Sequence, residues 1–145
     1  MKISKIIARK ELHTITADET VQQLVDALKT HQVGALVVSP DGKNIDGIVS
    51  ERDVVRAPGD LEHIRGLHVR DLMTVEVLTC SAEARVAEVM QMMAVEKIRH
   101  VPVVDTEGHL ISIVSIGDIV KNHLEEISDE NVALKQYVGK GNWAV

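Results

Sequence analysis

The chain has 145 residues, of which 45% are apolar and 26% charged, and a net charge of -6; this excludes a disordered polymer and argues against general nucleic-acid binding, which needs a basic field to release counterions. No apolar run approaches the roughly 18 residues that cross a bilayer, and "MKISKIIARK" lacks the apolar stretch of a secretory leader. A lone cysteine, Cys80, cannot form an internal disulfide, so a reducing, cytoplasmic setting is expected, with neither nucleic acid nor membrane as a partner.

In chain order, "ISKII" (Ile3–Ile7) is a short apolar lead-in, and a short strand is expected before the first helix. Between Asp18 and His31, Val21, Leu24, Val25 and Leu28 recur at helical spacing and predict a one-sided helix. "ALVVS", the turn "PDGKN" and a second β-branched run ending at Ser50 predict a hairpin, and "DVVRA" resumes helical spacing. "APGDLEHIRGLH" (Ala57–His68), with Pro58, Gly59 and Gly66, reads as a linker, and "VRDLM" (Val69–Met73) as a second lead-in. The pattern then repeats: Val86, Val89, Met90 and Met93 at helical spacing, "HVPVV", the turn "DTEGH", a run ending at Ser115, and "DIVKNHLEEI".

Sliding the chain by 65 positions, the distance from Asp53 to Asp118, superposes the copies with no gap needed anywhere: Glu11 on Glu76, Thr14 on Thr79, Ala17 on Ala82, Val21 on Val86, Val38 on Val103, Ile48 on Ile113, Ser50 on Ser115. Each copy is a β-α-β-β-α unit. One unit of about 50 residues cannot cover its own sheet. The expected fold is therefore α/β (α+β): two such repeats packed sheet to sheet with pseudo-twofold symmetry. The divisions are residues 1–57, a linker 58–68, a second repeat 69–123 and a helical tail 124–145. In the tail, Leu124, Ile127, Val132, Leu134 and Val138 suggest a further helix capped by Ser128 or Asp129.

The recurring Ser-x-x-Asp of "GIVSERDVV" (Gly47–Val55) and "SIVSIGDIV" (Ser112–Val120) has two physical readings. Ser at a helix N-cap with an acid three residues later resembles a capping box. A carboxylate in the first helical turn also accepts hydrogen bonds from two vicinal hydroxyls such as those of ribose, beside a helix N-terminus suited to phosphate. The copies differ: Arg52 precedes Asp53, whereas Gly117 precedes Asp118, and Val37 stands where the second copy has Pro102. Arg52, Arg56, Arg65, Arg70, Arg99, His100, Lys121 and His123 form the basic inventory near the presumed clefts. With no Phe, and Tyr137 and Trp143 confined to the last ten residues, a planar ligand would lie between aliphatic side chains.

On the tandem "GIVSERDVV" and "SIVSIGDIV", on "IRHVPVVD" (Ile98–Asp105) and on the "VRDLMT" lead-in, the chain resembles a pair of cystathionine-β-synthase-type (CBS) domains, or Bateman module, from Met1 to about His123. The resemblance implies a regulatory module that senses energy or redox state by binding an adenosine-containing ligand between the repeats: AMP foremost, then ATP, ADP or NAD(H), or S-adenosylmethionine. It implies Asp53 and Asp118 at ribose; Ser50, Arg52, Ser115, Ile116, Gly117, Arg99 and His100 near phosphate and the helix N-termini; and Thr14, Thr79, Val101, Pro102 and Val103 near adenine. A homodimer, aided by the Met-rich "VMQMMAV", and an effector protein are the implied partners. The alternative is a ligand-free structural or dimerisation module.

Catalysis is not expected. Cys80 occupies a strand position suited to a small buried hydrophobe. The seven histidines show no metal-ligand spacing, and there is no P-loop or Gly-x-Ser-x-Gly, so neither a metal nor a catalytic cofactor is expected.

Overall fold

A computed structural model describes the backbone of residues 1–137 and side chains through residue 131, so Val132, Leu134 and Val138 lie outside the described side chains. Its elements in order are α1 (Ile3–Ile7), β1 (Thr14–Ile15), α2 (Val21–His31), β2 (Ala35–Val38), β3 (Gly47–Ser50) and α3 (Glu51–Val55), then α4 (Leu61–Arg65), α5 (Val69–Leu72), β4 (Cys80–Ser81), α6 (Val86–Glu96), β5 (His100–Val104), β6 (Leu110–Ser115) and α7 (Ile116–Tyr137). They form two three-stranded sheets, β1-β2-β3 and β4-β5-β6, each with one parallel and one antiparallel pairing. The mixed α/β duplication expected from the repeats is what the structure shows.

Local chemistry accounts for each unit. Thr20 caps α2: its Oγ1 accepts from the Gln23 N–H at 3.1 Å, while Gln23 Oε1 accepts from the Thr20 N–H at 2.8 Å. Val21, Leu24 and Leu28 form the buried stripe. Both long repeat helices end in a left-handed residue, Gln32 (φ 54°) and Lys97 (φ 56°), 65 positions apart, which turns the chain into the central strand. In the hairpins, Asp41 Oδ1 accepts from the Lys43 and Asn44 N–H groups, and Asp105 Oδ1 from those of Glu107 and His109.

All four residues of β2 are buried. Leu36 and Val38 pack with Leu24, Leu28 and Val49 under α2, while Ala35 and Val37, on the opposite face by the alternation of a strand, are also buried, Ala35 beside the cavity shared with the other repeat. Pro102, the counterpart of Val37, is likewise fully buried.

The lead-ins cross over. Ile3 is wholly buried in the second repeat's core with Cys80, Val89, Met93, Val101, Val103 and Val114. Val69 is wholly buried in the first repeat's core with Ile15, Leu24, Leu36 and Val49. The backbone repeats the exchange: the Ile3 and Ser4 N–H groups donate to Ala84 O and Ala82 O, and those of Val69 and Arg70 to Glu19 O and Ala17 O. Ile3 and Val69 are thus equivalent at a spacing of 66, one more than the 65 of the repeat bodies.

One expectation gains detail and one is corrected. The segment 58–68 carries a short helix, α4, capped by Asp60, which accepts from the His63 N–H at 2.9 Å. Ser128 and Asp129 do not begin a second helix; α7 runs unbroken through them, because helical bonding already satisfies the backbone groups that a new cap would serve.

Truncating Ile3 to Ala is expected to cost about 2–5 kcal/mol in urea unfolding. Amide exchange in the native state is expected to rise in β5 and β6 more than in β2 and β3; the reverse order would overturn the crossed assignment.

Candidate functional site

Each sheet delivers a Ser-x-x-Asp to the start of a helix, and in both copies the aspartate caps it. Asp53 Oδ2 accepts from the Ser50 N–H at 2.8 Å and from the Ser50 hydroxyl at 3.1 Å. Asp118 Oδ2 accepts from the Ser115 N–H at 2.9 Å, and Ser115 Oγ accepts from the Asp118 N–H at 3.0 Å. A carboxylate has room for about four acceptor bonds, so Asp53 keeps its Oδ1 for a ligand while it caps α3. Capping and ligand binding are compatible roles.

The helix starts are pinned symmetrically at the junction of the repeats. Glu51 donates its N–H to Gly34 O and Ile116 to Arg99 O, both at 2.9 Å. A Cβ on Gly34 would lie 3.5 Å from the His100 ring and 3.5 Å from Glu51 Oε1, so the two repeats meet at van der Waals distance here.

Around Asp53 this junction opens into a cavity of about 290 Å³, near the lower end of the 300–1,000 Å³ typical of small-molecule sites. The first repeat supplies Gly34, Ala35 and Ile48 to Asp53; the second supplies Thr74 and Lys97 to His100. Three cations, Arg52, Lys97 and Arg99, stand beside Glu51, Asp53 and the α3 N-terminus. Such a cleft offers a carboxylate for hydroxyls, guanidinium and ammonium groups for an anion, and aliphatic side chains from Ile48 and Ile98 for a planar group.

The cleft brings together Ser50, Arg52, Asp53, Arg99 and His100 from the sequence expectations. Thr14, Thr79, Val101, Pro102 and Val103 are not among its walls; the two valines are wholly buried in the second core. Ser115, Ile116, Gly117 and Asp118 sit at the start of α7 on the other side of the junction. Arg70 pairs with Asp18, and Lys121 lies farther along α7, so neither reaches the cavity. Sequence reasoning missed Thr74, Lys97 and Ile98. Thr74 is there because its backbone exchanges two hydrogen bonds with Ile48, 2.9 and 3.0 Å, alongside Gly47, where a Cβ would come within 2.7 Å of Thr74 O. That glycine was a legible signal of close backbone approach.

Burial, with the nearby Lys10 ammonium adding to it, holds His100 below its ordinary 6.5. For Asp118 burial acts upward, but the Lys10 ammonium and the Ser115 N–H bond its charged form and hold it below the usual 3.8. Burial pushes the Cys80 thiol up to about 11, which leaves it protonated and a weak nucleophile at neutral pH.

These shifts give a signed pH dependence. Between 6.5 and the lowered value for His100, the unfolded chain binds more protons than the folded one, so stability falls as pH falls through that window. Asp118 contributes stability above 3.8, lost as pH falls through its lowered value. The thermal midpoint is expected to drop between pH 7 and pH 5.5, and by less in His100→Asn; equal drops in the two proteins would refute the assignment.

A family model described as "CBS domain" matches residues 3–60 and again residues 69–125. The mitochondrial CBS domain-containing protein CBSX3 of Arabidopsis thaliana is 37% identical over 133 residues, covering 87% of this chain; the chain in turn spans 63% of that protein's length. A CBS-domain protein of Agrobacterium tumefaciens superposes with a TM-score of 0.77 at 31% identity, over 85% of this chain and 99% of that one. CBSX2 of Arabidopsis thaliana, solved in complex with AMP, superposes with a TM-score of 0.68 at 25% identity, over 81% of this chain and 91% of that one.

Proposed function

The chain belongs to the CBS-domain family, matched twice over its length, and from that premise we propose that it is a regulatory module binding an adenosine-containing ligand, AMP foremost, in the cleft beside Asp53. One observation carries the reading: the cavity joins a carboxylate with an oxygen to spare, a helix N-terminus and three cations contributed by both repeats. Asp53 would accept from the ribose hydroxyls, Arg52, Lys97 and Arg99 would meet phosphate, and the purine would lie against Ile48 and Ile98. The complex of the related CBSX2 with AMP supports the ligand class; ATP, ADP, NAD(H) and S-adenosylmethionine are the other members to be compared.

A ligand in this cleft touches both repeats at once, so it favours whichever relative setting of the repeats gives it more contacts. That differential is the only free energy available for signalling. The output would be read by an effector protein, in the cytoplasm. No helix among the described residues is long and apolar enough to cross a membrane.

A dimerisation module is the second reading, favoured by the exposed Val120, Leu124 and Ile127 along α7, which are 49%, 60% and 39% exposed. This stripe is suited to a second copy of the chain. Light scattering is expected to give twice the 15.9 kDa chain mass and to fall toward it in Leu124→Glu; a single-chain mass for the wild type would end the homodimer proposal.

Calorimetry with AMP, ADP, ATP, NADH and S-adenosylmethionine tests the ligand. Hydrogen bonds to a charged group are worth about 1.5–3 kcal/mol, so Asp53→Ala is expected to raise the dissociation constant about 10- to 100-fold. Unchanged affinity, or no binding of any of the five by the wild type, would refute the reading and favour the dimerisation module.

A further inference from the structure

The two Ser-x-x-Asp carboxylates are not in the same electrostatic state. Lys10, in the segment between α1 and β1, crosses to the second repeat and donates from Nζ to Asp118 Oδ2 at 2.5 Å and to Ile113 O at 2.7 Å. Both side chains are about three-quarters buried, 25% and 28% exposed, so the pair is well sheltered from solvent. Among the described residues, Asp53 forms no ion pair.

The copies also differ in side chains beside the two carboxylates. In the first repeat, Gly47 lets the second lead-in lie against β3, and Ile48 and Thr74 exchange two backbone bonds. The residue equivalent to Gly47 is Ser112, which carries the Cβ that Gly47 lacks. Ser112 is buried and its Oγ has no partner, so the extra side chain gains no hydrogen bond in return. The carbonyl of Ile113, the equivalent of Ile48, is taken by the ammonium of Lys10 instead of by a backbone N–H. The residues that correspond to Lys10, Val75 at the spacing of the repeat bodies and Glu76 at that of the lead-ins, are not cations, so neither repeats the contact at Asp53.

We infer that Lys10 is an internal occupant of the second ribose position, which holds Asp118 against a diol and limits the protein to one adenosine ligand per chain. The inference rests on the adenosine reading of the Asp53 cleft. To bind at Asp118, a second ligand must displace an ammonium that already neutralises the carboxylate and bonds the strand carbonyl. The first cleft carries no such penalty. Lys10 therefore acts as an occupancy-determining residue, and release of the α1 lead-in would open the second site.

Calorimetric stoichiometry with AMP decides it, on the wild type and on Lys10→Met, which keeps the aliphatic stem; Lys10→Gln serves if Lys10→Met does not give a cooperative melt. The expected result is one AMP per wild-type chain, two per Lys10→Met chain, and a return to one in Lys10→Met/Asp118→Ala. One AMP in both wild type and Lys10→Met overturns the latch while leaving the adenosine reading intact. Two in the wild type, with one weakened in Lys10→Met, also overturns it, making Lys10 a ligand contact. No binding to any of these proteins overturns the adenosine reading and the latch together.

Discussion

A three-stranded sheet with one long helix on one face has a core that is open at one end, and in this protein neither repeat closes its own. Ile3 and Val69, each wholly buried, complete the core of the repeat that does not follow them in sequence. Burying such a side chain is worth about 1.5–3 kcal/mol, and the backbone bonds to Ala82, Ala84, Ala17 and Glu19 fix where each lead-in runs. Everything else follows from this exchange. It ties the two repeats together, and the start of α3 then lies against residues 97–100 of the other repeat. The Asp53 cleft lies at that contact.

The duplication and the unit it repeats were legible because both rest on local rules. Val21, Leu24 and Leu28 mark a buried stripe, Asp41 and Asp105 mark turns, and Ser50 and Ser115 mark caps, each within a window of a few residues. The crossed lead-ins were not legible, since "ISKII" and "VRDLM" have the same pattern whichever core receives them. Their spacing of 66 against 65 for the bodies was the one numerical trace. The helix in the linker announced itself only by Asp60, and Ser128 misled because a Ser-Asp pair caps a helix only where the preceding turn has ended.

The site was half legible for the same reason. Asp53, Arg52 and Ser50 belong to a motif, and Arg99 and His100 open the strand that the motif faces. Lys10 belongs to no motif and reaches a carboxylate 108 positions away, so only the fold reveals its partner. The contrast between Gly47 and Ser112 was visible in the alignment of the two copies, yet its meaning depends on a strand of backbone passing beside one of them. The two copies of the motif are alike in sequence, and the side chains around them differ in bulk and charge.

The exchanged lead-ins also bear on how a single unit would behave. A lone repeat would present an unfilled core and carry an arm of the kind that fills it in another copy, so the form expected of it is an arm-swapped pair whose assembly depends on concentration. In this chain residues 58–68 join the two halves of that pair and turn association into an intramolecular step, with an effective concentration set by a short tether. The molecule is in this sense a swapped dimer made permanent. Covalent joining also freed each half to diverge, which an assembly of identical subunits could not have done.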